Sequence, residues 1–221
     1  MLKCTRKVAG WLWDRGWAEW GAGNLSVNVG EILLSRQENE KYENLLLLTT
    51  TSGSRMRLLM KKPENGLCLV NHSDGIKPEV IPLVQSGPNL SPTSELPSHV
   101  LIHQALHGAR PEHKAVLHTH PAEIIALSQS AGFNSQDSFN QILGQVLPEL
   151  SIYLPEGVAY IPFHEPGSGE LAKASAESLQ EFRVAVWEKH GIVATGPTLE
   201  EAFDAIDLVV KAAKVWMMVR K

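Results

Sequence analysis

The architecture of this chain is best approached from the segment Ala115-Val116-Leu117-His118-Thr119-His120-Pro121. Its apolar first half is typical of a buried strand, and Pro121 favours the start of a helix. Side chains two residues apart in a strand point to the same face, so the imidazoles of His118 and His120 can reach one ion. The segment therefore predicts a strand that ends in a pair of metal ligands.

A third histidine, His190, follows another strand-like run, Val184-Ala185-Val186-Trp187, and precedes a glycine. Three neutral imidazoles with a vacant fourth position are the ligand set of a catalytic zinc, whereas structural zinc sites are usually closed by four protein ligands. The alternative is that His118 and His120 are polar residues where a strand leaves the core. The second strand end favours a Zn²⁺ site, with one ion per subunit.

Three further histidines lie on a helix that we predict to start at Thr93/Ser94. His99 and His103 are four residues apart, the spacing of a helical zinc motif, but the metalloprotease pattern needs Glu after the first His and position 100 is Val. We therefore predict that His99, His103 and His107 lie on the helix surface or at an interface. One of them could also lie behind the residues that contact the ligand and help to position them.

Apolar periodicity predicts the remaining elements. Strands are expected at residues 25–29, 45–50, 67–70, 115–118, 158–163 and 184–187, and residues 80–92 form a loop or irregular connection. Helices are expected at residues 5–17, 93–107, 121–128, 138–147, 169–182 and from Thr198 onward, where Thr198 and Glu201 form a capping box. Because the elements do not alternate strictly, we expect an α/β chain of the α+β type. A central mixed or antiparallel sheet is flanked by helices, in one domain over residues 1–221.

The composition excludes several classes of function. The chain has 221 residues, of which 43 % are apolar and 20 % charged, with a net charge of −4 and no long block of one sign. We expect no nucleic-acid partner, because no basic face is present, and no membrane partner, because no run reaches the ~20 apolar residues of a bilayer span. The two cysteines, Cys4 and Cys68, are expected to be reduced thiols of a cytoplasmic protein.

Glu95 and two small-residue loops are candidates for substrate contacts. Glu95 lies at the predicted start of a helix, where it can act as a general acid/base while Thr93 and Ser94 donate to an anion. The alternative is that Thr93 or Ser94 caps the helix and Glu95 adds a favourable charge. Residues 21–26 and 51–54 form loops that can hold an anion or merely turn the chain. Neither is a dinucleotide or nucleoside-triphosphate loop.

Five short motifs occur in the order Gly-Asn-Leu-Ser, Thr-Ser-Gly, Ser-Glu, His-x-His-Pro and His-Gly. In that order they resemble the class II aldolase/adducin family, over nearly the whole chain from Trp11 to Val215. Residues 92–99 and 196–199 are most similar to the branch that acts on L-rhamnulose 1-phosphate. The resemblance implies a three-layer sandwich, and zinc-dependent cleavage of a ketose 1-phosphate to dihydroxyacetone phosphate and L-lactaldehyde. It also implies a homotetramer with active sites at subunit interfaces.

The resemblance assigns roles to individual residues. The positions that bind the substrate phosphate and adjacent oxygens are matched by Asn24, Ser52, Gly53, Thr93 and Ser94. The zinc ligands are matched by His118, His120 and His190. Glu95 matches the acid/base beside the metal, and Glu149 matches an acid that reaches a neighbouring subunit's site.

Relatives with other activities stay open at this stage. A methylthioribulose-1-phosphate dehydratase shares the histidines and a glutamate, and L-fuculose 1-phosphate is an alternative substrate. Adducin-like binding proteins lack the metal ligands that this chain has, and epimerases usually carry Asp at the position of Glu95. The chain has Gly21 where we expect a second Asn, and few residues follow Met218. The residues around the aldehyde are therefore not predicted.

Overall fold

An eight-stranded sheet forms the centre of the protein. The computed structural model describes residues 1–33, 45–73, 77–84, 91–130, 132–133 and 135–220. The strands are β1 (Asn24–Asn28), β2 (Leu45–Thr50), β3 (Leu67–His72), β4 (Glu79–Pro82), β5 (Ala115–Thr119), β6 (Ala159–Ile161), β7 (Val184–Trp187) and β8 (Gly191–Gly196). They lie in the order β4-β3-β2-β1-β5-β8-β7-β6. Every neighbouring pair is antiparallel except β6 and β7, so the sheet is mixed, as predicted.

Helices cover both faces of this sheet. They are α1 (Leu2–Asp14), α2 (Gly30–Leu33), α3 (Met56–Leu59), α4 (Leu96–Ala109), α5 (Ala122–Leu127), α6 (Gln136–Val146), α7 (Glu149–Tyr153), α8 (Gly169–Ser178) and α9 (Leu199–Val219). A 3₁₀ turn over Pro63–Gly66 precedes β3. Among the described residues, no helix combines the length and apolar character that crossing a bilayer requires.

Alternation along the strands separates two sets of core contacts. Leu117 packs into the large core beneath α1 and α9, whereas its neighbour Val116 packs into the core beneath α4 and α8. Residues of β7 and β8 divide in the same way, because successive strand side chains point to opposite faces. The result is the expected three-layer arrangement of helices, sheet and helices.

The last helix is built as its sequence predicts. The Thr198 hydroxyl accepts a hydrogen bond from the Glu201 backbone N–H at 3.2 Å, which caps the first turn of α9. Phe203, Ile206 and Val210 lie on its buried face. Helix α9 therefore supplies much of the core on the side of the sheet opposite α4.

Several elements were missed or shifted. Strand β8 and the short helices α2, α3 and α7 were not predicted. Glu79–Pro82 forms an edge strand that overlaps the start of residues 80–92, which were assigned to a loop or irregular connection. Residues 85–90 of that segment lie outside the described residues. Strand β8 matters most for the site, because it pairs with both β5 and β7 and brings their ends together.

Candidate active site

Three histidines converge at the end of β5. His118 is in β5, His120 follows it, and His190 lies in the connection between β7 and β8, where Trp187 pairs with Gly191. One ring nitrogen of each histidine lies within 4.8 Å of those of the other two. The ring centroids are 4.7, 4.8 and 5.0 Å apart, and the Nε2 atoms of His118 and His120 are separated by 2.8 Å. This spacing allows all three imidazoles to bind one cation.

The hydrogen bonds and pKa values of these histidines fit a cation. The Nδ1–H of His118 donates to the Ile192 carbonyl at 3.0 Å, which leaves Nε2 to face the cluster. Among the described residues, the buried Nδ1 of His190 has no hydrogen-bond partner, as expected where the ring binds a metal. Burial lowers the pKa of His118 well below its usual range and that of His190 to about 4. Burial also lowers the pKa of His120, so all three stay neutral, the form that binds metal.

Trp187 and Gly191 form one wall of the cluster. The Trp187 ring lies 4.3 Å from the His118 ring and 5.1 Å from the His190 ring, centroid to centroid. At Gly191, a Cβ atom would lie 2.5 Å from the Thr119 carbonyl oxygen and 3.1 Å from Cδ2 of His120. Only glycine therefore fits at this position while the histidines stay where they are.

Glu95 is a buried carboxyl group at the N-terminal end of α4. Its side chain is only 4 % exposed and accepts hydrogen bonds from the Ser98 hydroxyl, at 3.3 Å, and the Gly167 backbone N–H. Burial raises the pKa of Glu95 because water no longer solvates the carboxylate, although both hydrogen bonds act in the opposite direction. A carboxyl group with a raised pKa can hold a proton and also release it, as a general acid/base must.

One cavity of about 330 Å³ joins the histidine cluster to Glu95 and the small-residue loops. Its lining includes every site residue predicted from the sequence except Glu149: Asn24, Ser52, Gly53, Thr93, Ser94, Glu95, His118, His120 and His190. Gly21 and Pro166 also line it. The cavity thus combines a possible cation site, a buried acid and several hydroxyl and amide donors within the reach of one small molecule.

Comparison with known proteins identifies the family. The model of the class II aldolase and adducin N-terminal domain matches residues 6–217. The chain belongs to the class II aldolase/adducin family. It is 33 % identical to the rhamnulose-1-phosphate aldolase of Bacteroides thetaiotaomicron, over 96 % of this chain and 82 % of that protein. The rhamnulose-1-phosphate aldolase of Listeria welshimeri is 31 % identical, over 94 % and 79 %.

Solved structures agree with this family assignment. The crystal structure of a sugar-phosphate aldolase from Thermotoga maritima superposes with a TM-score of 0.81 at 32 % identity, over 97 % of this chain and 92 % of that one. An L-fuculose-1-phosphate aldolase from Thermus thermophilus shares the fold, with a TM-score of 0.61 at 21 % identity, over 99 % of this chain and 93 % of that one. The class II aldolase family is metal-dependent, and the three-histidine cluster is where this chain could hold its metal.

The start of α4 bears on whether Thr93 or Ser94 caps this helix, one of the two alternatives that the sequence left open. Glu95 is the N-cap residue of α4, and no side chain makes a capping hydrogen bond there. The Thr93 hydroxyl instead accepts a hydrogen bond from the Glu95 backbone N–H at 3.3 Å. The expectation that Thr93 or Ser94 caps the helix is therefore wrong, because the helix begins later than the capping pattern suggests.

His99 and His103 are not on the helix surface, so the surface placement was wrong for both, whereas the expectation that one histidine supports the site is met by His99, whose Nε2 lies 2.6 Å from Oδ1 of Asn24. His99 is 1 % exposed and His103 is 2 % exposed, and both lie on the face of α4 that packs on the sheet. His107 is exposed. The spacing of His99, Ile102, His103 and Leu106 contains the signal that was missed, since steps of three and four mark one buried helix face.

Glu149 does not line the cavity of its own chain. It is exposed at the start of α7, a five-residue helix. Ile152 and Tyr153, at the end of the same helix, are also exposed. The assignment of Glu149 to a neighbouring subunit's site in a class II aldolase assembly stays a prediction.

Proposed function

We propose that this protein is a zinc-dependent aldolase that cleaves L-rhamnulose 1-phosphate to dihydroxyacetone phosphate and L-lactaldehyde. The observation that carries the proposal is the cavity in which the three histidines, the buried Glu95 and the phosphate-binding candidates meet. The substrate is inferred from relatives named rhamnulose-1-phosphate aldolase, which match this chain at about 30 % identity.

His118, His120 and His190 would hold the zinc ion. They present neutral imidazoles from two strand ends, and the hydrogen bond from His118 to Ile192 fixes which nitrogen faces the ion. A Zn²⁺ ion bound there supplies a Lewis acid that stabilises negative charge on the substrate oxygens, so that no Schiff-base lysine is needed. Trp187 packs against two of the three rings and excludes water from that side.

Glu95 would move the proton at carbon. Cleavage breaks the C3–C4 bond of the ketose phosphate: the C4 hydroxyl gives its proton to solvent water, C4 becomes the aldehyde carbon, and the electron pair of the broken bond stays at C3. The protonated Glu95 then gives its proton to C3, and in the reverse condensation its carboxylate removes that proton. Its raised pKa favours the protonated form that cleavage requires.

The phosphate would bind to Asn24, Ser52, Gly53, Thr93 and Ser94, which line the same cavity. The loop that carries Ser52 is held closed by a 2.7 Å hydrogen bond between the Thr51 and Ser54 hydroxyls. The Ser52 backbone N–H donates to Ser91, so Ser52 would contact the phosphate through its hydroxyl. Binding the phosphate away from the bond that breaks orients the reacting carbons.

We further propose a cytoplasmic homotetramer in which Glu149 reaches the active site of a neighbouring subunit. The exposed Ile152 and Tyr153 beside it support this assignment, because apolar side chains grouped at a surface favour an interface.

The first test supplies L-rhamnulose 1-phosphate to zinc-loaded protein and follows release of dihydroxyacetone phosphate with and without a chelator. We expect release that the chelator abolishes and zinc restores. The variant His190→Ala should lose both zinc and activity, while the matched control His107→Ala, at an exposed site on α4, should keep both.

Two further substrates separate the alternatives in the same assay. L-Fuculose 1-phosphate tests the other stereochemistry, and 5-methylthioribulose 1-phosphate tests for loss of water without C–C cleavage. If zinc-loaded protein cleaves none of the ketose 1-phosphates, the aldolase proposal is rejected. A dehydrated product from the third compound would then assign the site to the dehydratase reaction.

A further inference from the structure

Four buried polar side chains form a continuous hydrogen-bonded row between α4 and β1. Nε2 of His103 lies 2.9 Å from the Ser26 hydroxyl, which lies 2.6 Å from Nδ1 of His99. Nε2 of His99 lies 2.6 Å from Oδ1 of Asn24. Asn24 is the only one of the four that lines the cavity. The row therefore connects the interior of the α4 layer to a side chain that we assign to phosphate binding.

The protons along this row follow from simple accounting. Burial lowers the pKa of both His99 and His103 to about 3, so both rings are neutral and each carries one N–H. Oδ1 of Asn24 faces His99, and an amide oxygen can only accept. With the amide in this orientation, the proton of His99 is on Nε2. Nδ1 of His99 then accepts from the Ser26 hydroxyl, and the Ser26 oxygen accepts from Nε2–H of His103.

This order of donors determines which end of the Asn24 amide the cavity receives. With Oδ1 bound by His99, the NH₂ group is the end that remains for the cavity. Reversing every donor in the row would also satisfy the four side chains, but the amide would then present its oxygen to the cavity. An anionic phosphate needs donors, so only the first order suits the ligand of the proposed function.

We propose that His99 is a positioning residue that holds the Asn24 amide with its NH₂ group toward the substrate phosphate. The inference rests on the proposed function, which places the phosphate in this cavity. His99 itself does not line the cavity, so it acts through Asn24. The chemical class recognised is a phosphomonoester or inorganic phosphate, because a neutral amide donor complements its oxygens without requiring a cation.

The test compares His99→Leu, His99→Gln, Asn24→Ala and the double variant His99→Leu/Asn24→Ala. Inorganic phosphate binding to the zinc-loaded protein is measured directly by calorimetry, alongside zinc content and thermal unfolding. We expect His99→Leu to weaken phosphate binding about tenfold, the scale of one lost charge-assisted hydrogen bond. His99→Gln should recover most of the affinity, because its amide NH₂ can replace Nε2–H as the donor to Asn24.

The double variant separates positioning from general loss of structure. If His99 acts through Asn24, the double variant binds phosphate no more weakly than Asn24→Ala alone. The matched control is His113→Leu, which removes another buried histidine with a hydroxyl partner, Thr195 at 2.9 Å, away from the cavity. It should lower the unfolding temperature and leave phosphate affinity unchanged.

The outcomes distinguish this inference from the proposed function. Unchanged phosphate affinity in His99→Leu, or fully additive losses in the double variant, would overturn the positioning role even if the wild-type enzyme cleaves its substrate. Failure of the wild-type protein to bind phosphate would overturn both the donor role of Asn24 and the role of His99. Where cleavage is measurable, His99→Leu should raise KM about tenfold with a smaller change in kcat, since the lost contact is to a non-reacting group.

Discussion

At the scale of single residues, the cavity groups hold their reactive forms through burial. Glu95 is buried beside Ser98 and Gly167, and its pKa is raised, whereas burial lowers the pKa of His118 and His190. The same loss of solvent thus favours the protonated form of the acid and the unprotonated form of the imidazoles. Both shifts favour the neutral forms that the proposed chemistry uses, and neither requires an opposite charge nearby.

Replacing Glu95 with Gln tests its role without changing the shape of the side chain. We expect Glu95→Gln to keep one zinc ion per subunit and lose about 10²- to 10⁴-fold in turnover, the usual range for a general acid/base. Steady-state cleavage and zinc content are the measurements. Glu177→Gln, at an exposed position of α8, is the control that should leave both unchanged. Full activity in Glu95→Gln would exclude the proton-transfer role.

The same variant should report the cost of burying Glu95. Because the pKa of Glu95 is raised in the folded protein, the folded state binds this proton more tightly than the unfolded chain does. Stability should therefore fall as pH rises above the ordinary value of 4.5 and through the raised pKa. Metal-free Glu95→Gln should melt no lower than metal-free wild type at about pH 8, with a smaller difference near about pH 5. A variant clearly less stable at the higher pH would contradict this sign.

At the scale of elements, the site depends on the connection between β7 and β8. Lys189 adopts a positive φ of 61° there, and its backbone N–H donates to the Ser128 hydroxyl at 3.0 Å. The Glu188 carboxylate accepts from the Phe163 backbone N–H at 3.0 Å. These contacts anchor the turn on both sides and so fix where His190 enters the cluster.

Gly191 is the position where this connection tolerates least change. In Gly191→Ala, the new Cβ would meet the Thr119 carbonyl at 2.5 Å and Cε1 of His118 at 3.3 Å, so β5 and β8 must separate or the rings must move. We expect zinc affinity to fall about 10- to 100-fold, the range seen when the supports of metal ligands are lost. Competition with a chelator measures this change.

The control for Gly191→Ala is another glycine with open space around it. A Cβ at Gly108, in α4, meets no atom within 4 Å. Gly108→Ala should therefore bind zinc normally and gain about 0.5–1 kcal/mol of unfolding free energy, because alanine is the better helix former. Wild-type zinc affinity in Gly191→Ala would show that the strand pair can open without disturbing the cluster.

Elements with strong local signals could be predicted, and those defined by partners could not. The all-apolar run of β2 and the capping box and apolar stripe of α9 carry their structure in their own residues. Strand β8 is a six-residue run that begins and ends with glycine. Its pairing with β5 depends on a segment about 70 residues away, and its pairing with β7 depends on a tight turn. For the site, the His-x-His pair followed from strand periodicity. The burial of His99 could have been predicted from its spacing with Ile102 and Leu106, but its hydrogen bond to Ser26 depends on how α4 packs on β1, which the sequence alone did not reveal.

At the scale of the whole molecule, the two faces of the sheet have different tasks. The face under α1 and α9 holds most of the apolar core, including Leu12, Leu117 and Ile206. The face under α4 carries the row from His103 to Asn24 and continues into the cavity. Because the two sets are separated by the sheet, we expect substitutions on the α9 side to change stability more than substrate affinity.

The proposed assembly of subunits provides the last prediction, because Glu149 does not line the cavity of its own chain. Glu149→Ala should fold and bind zinc as wild type does, because the residue is exposed, yet lose turnover. Glu95→Gln is expected to be inactive for a different reason, because it lacks the proton donor inside its own cavity. If each site combines Glu95 of one subunit with Glu149 of a neighbour, subunits of the two inactive variants that exchange randomly should restore about a quarter of the sites.

Mixing therefore separates a shared site from one contained in a single chain. The two variants are dissociated, mixed in equal amounts and reassembled, and cleavage is compared with each variant treated alone. A mixture of Glu95→Gln with His190→Ala is the control. Glu95 and His190 line the cavity of the same chain, so every cavity in a hybrid carries one of the two defects and none is intact. Recovery only in the first mixture places Glu149 across an interface. Wild-type turnover of Glu149→Ala alone would remove Glu149 from the site, and leave its exposure beside Ile152 and Tyr153 to be explained by contact between subunits without a role in catalysis.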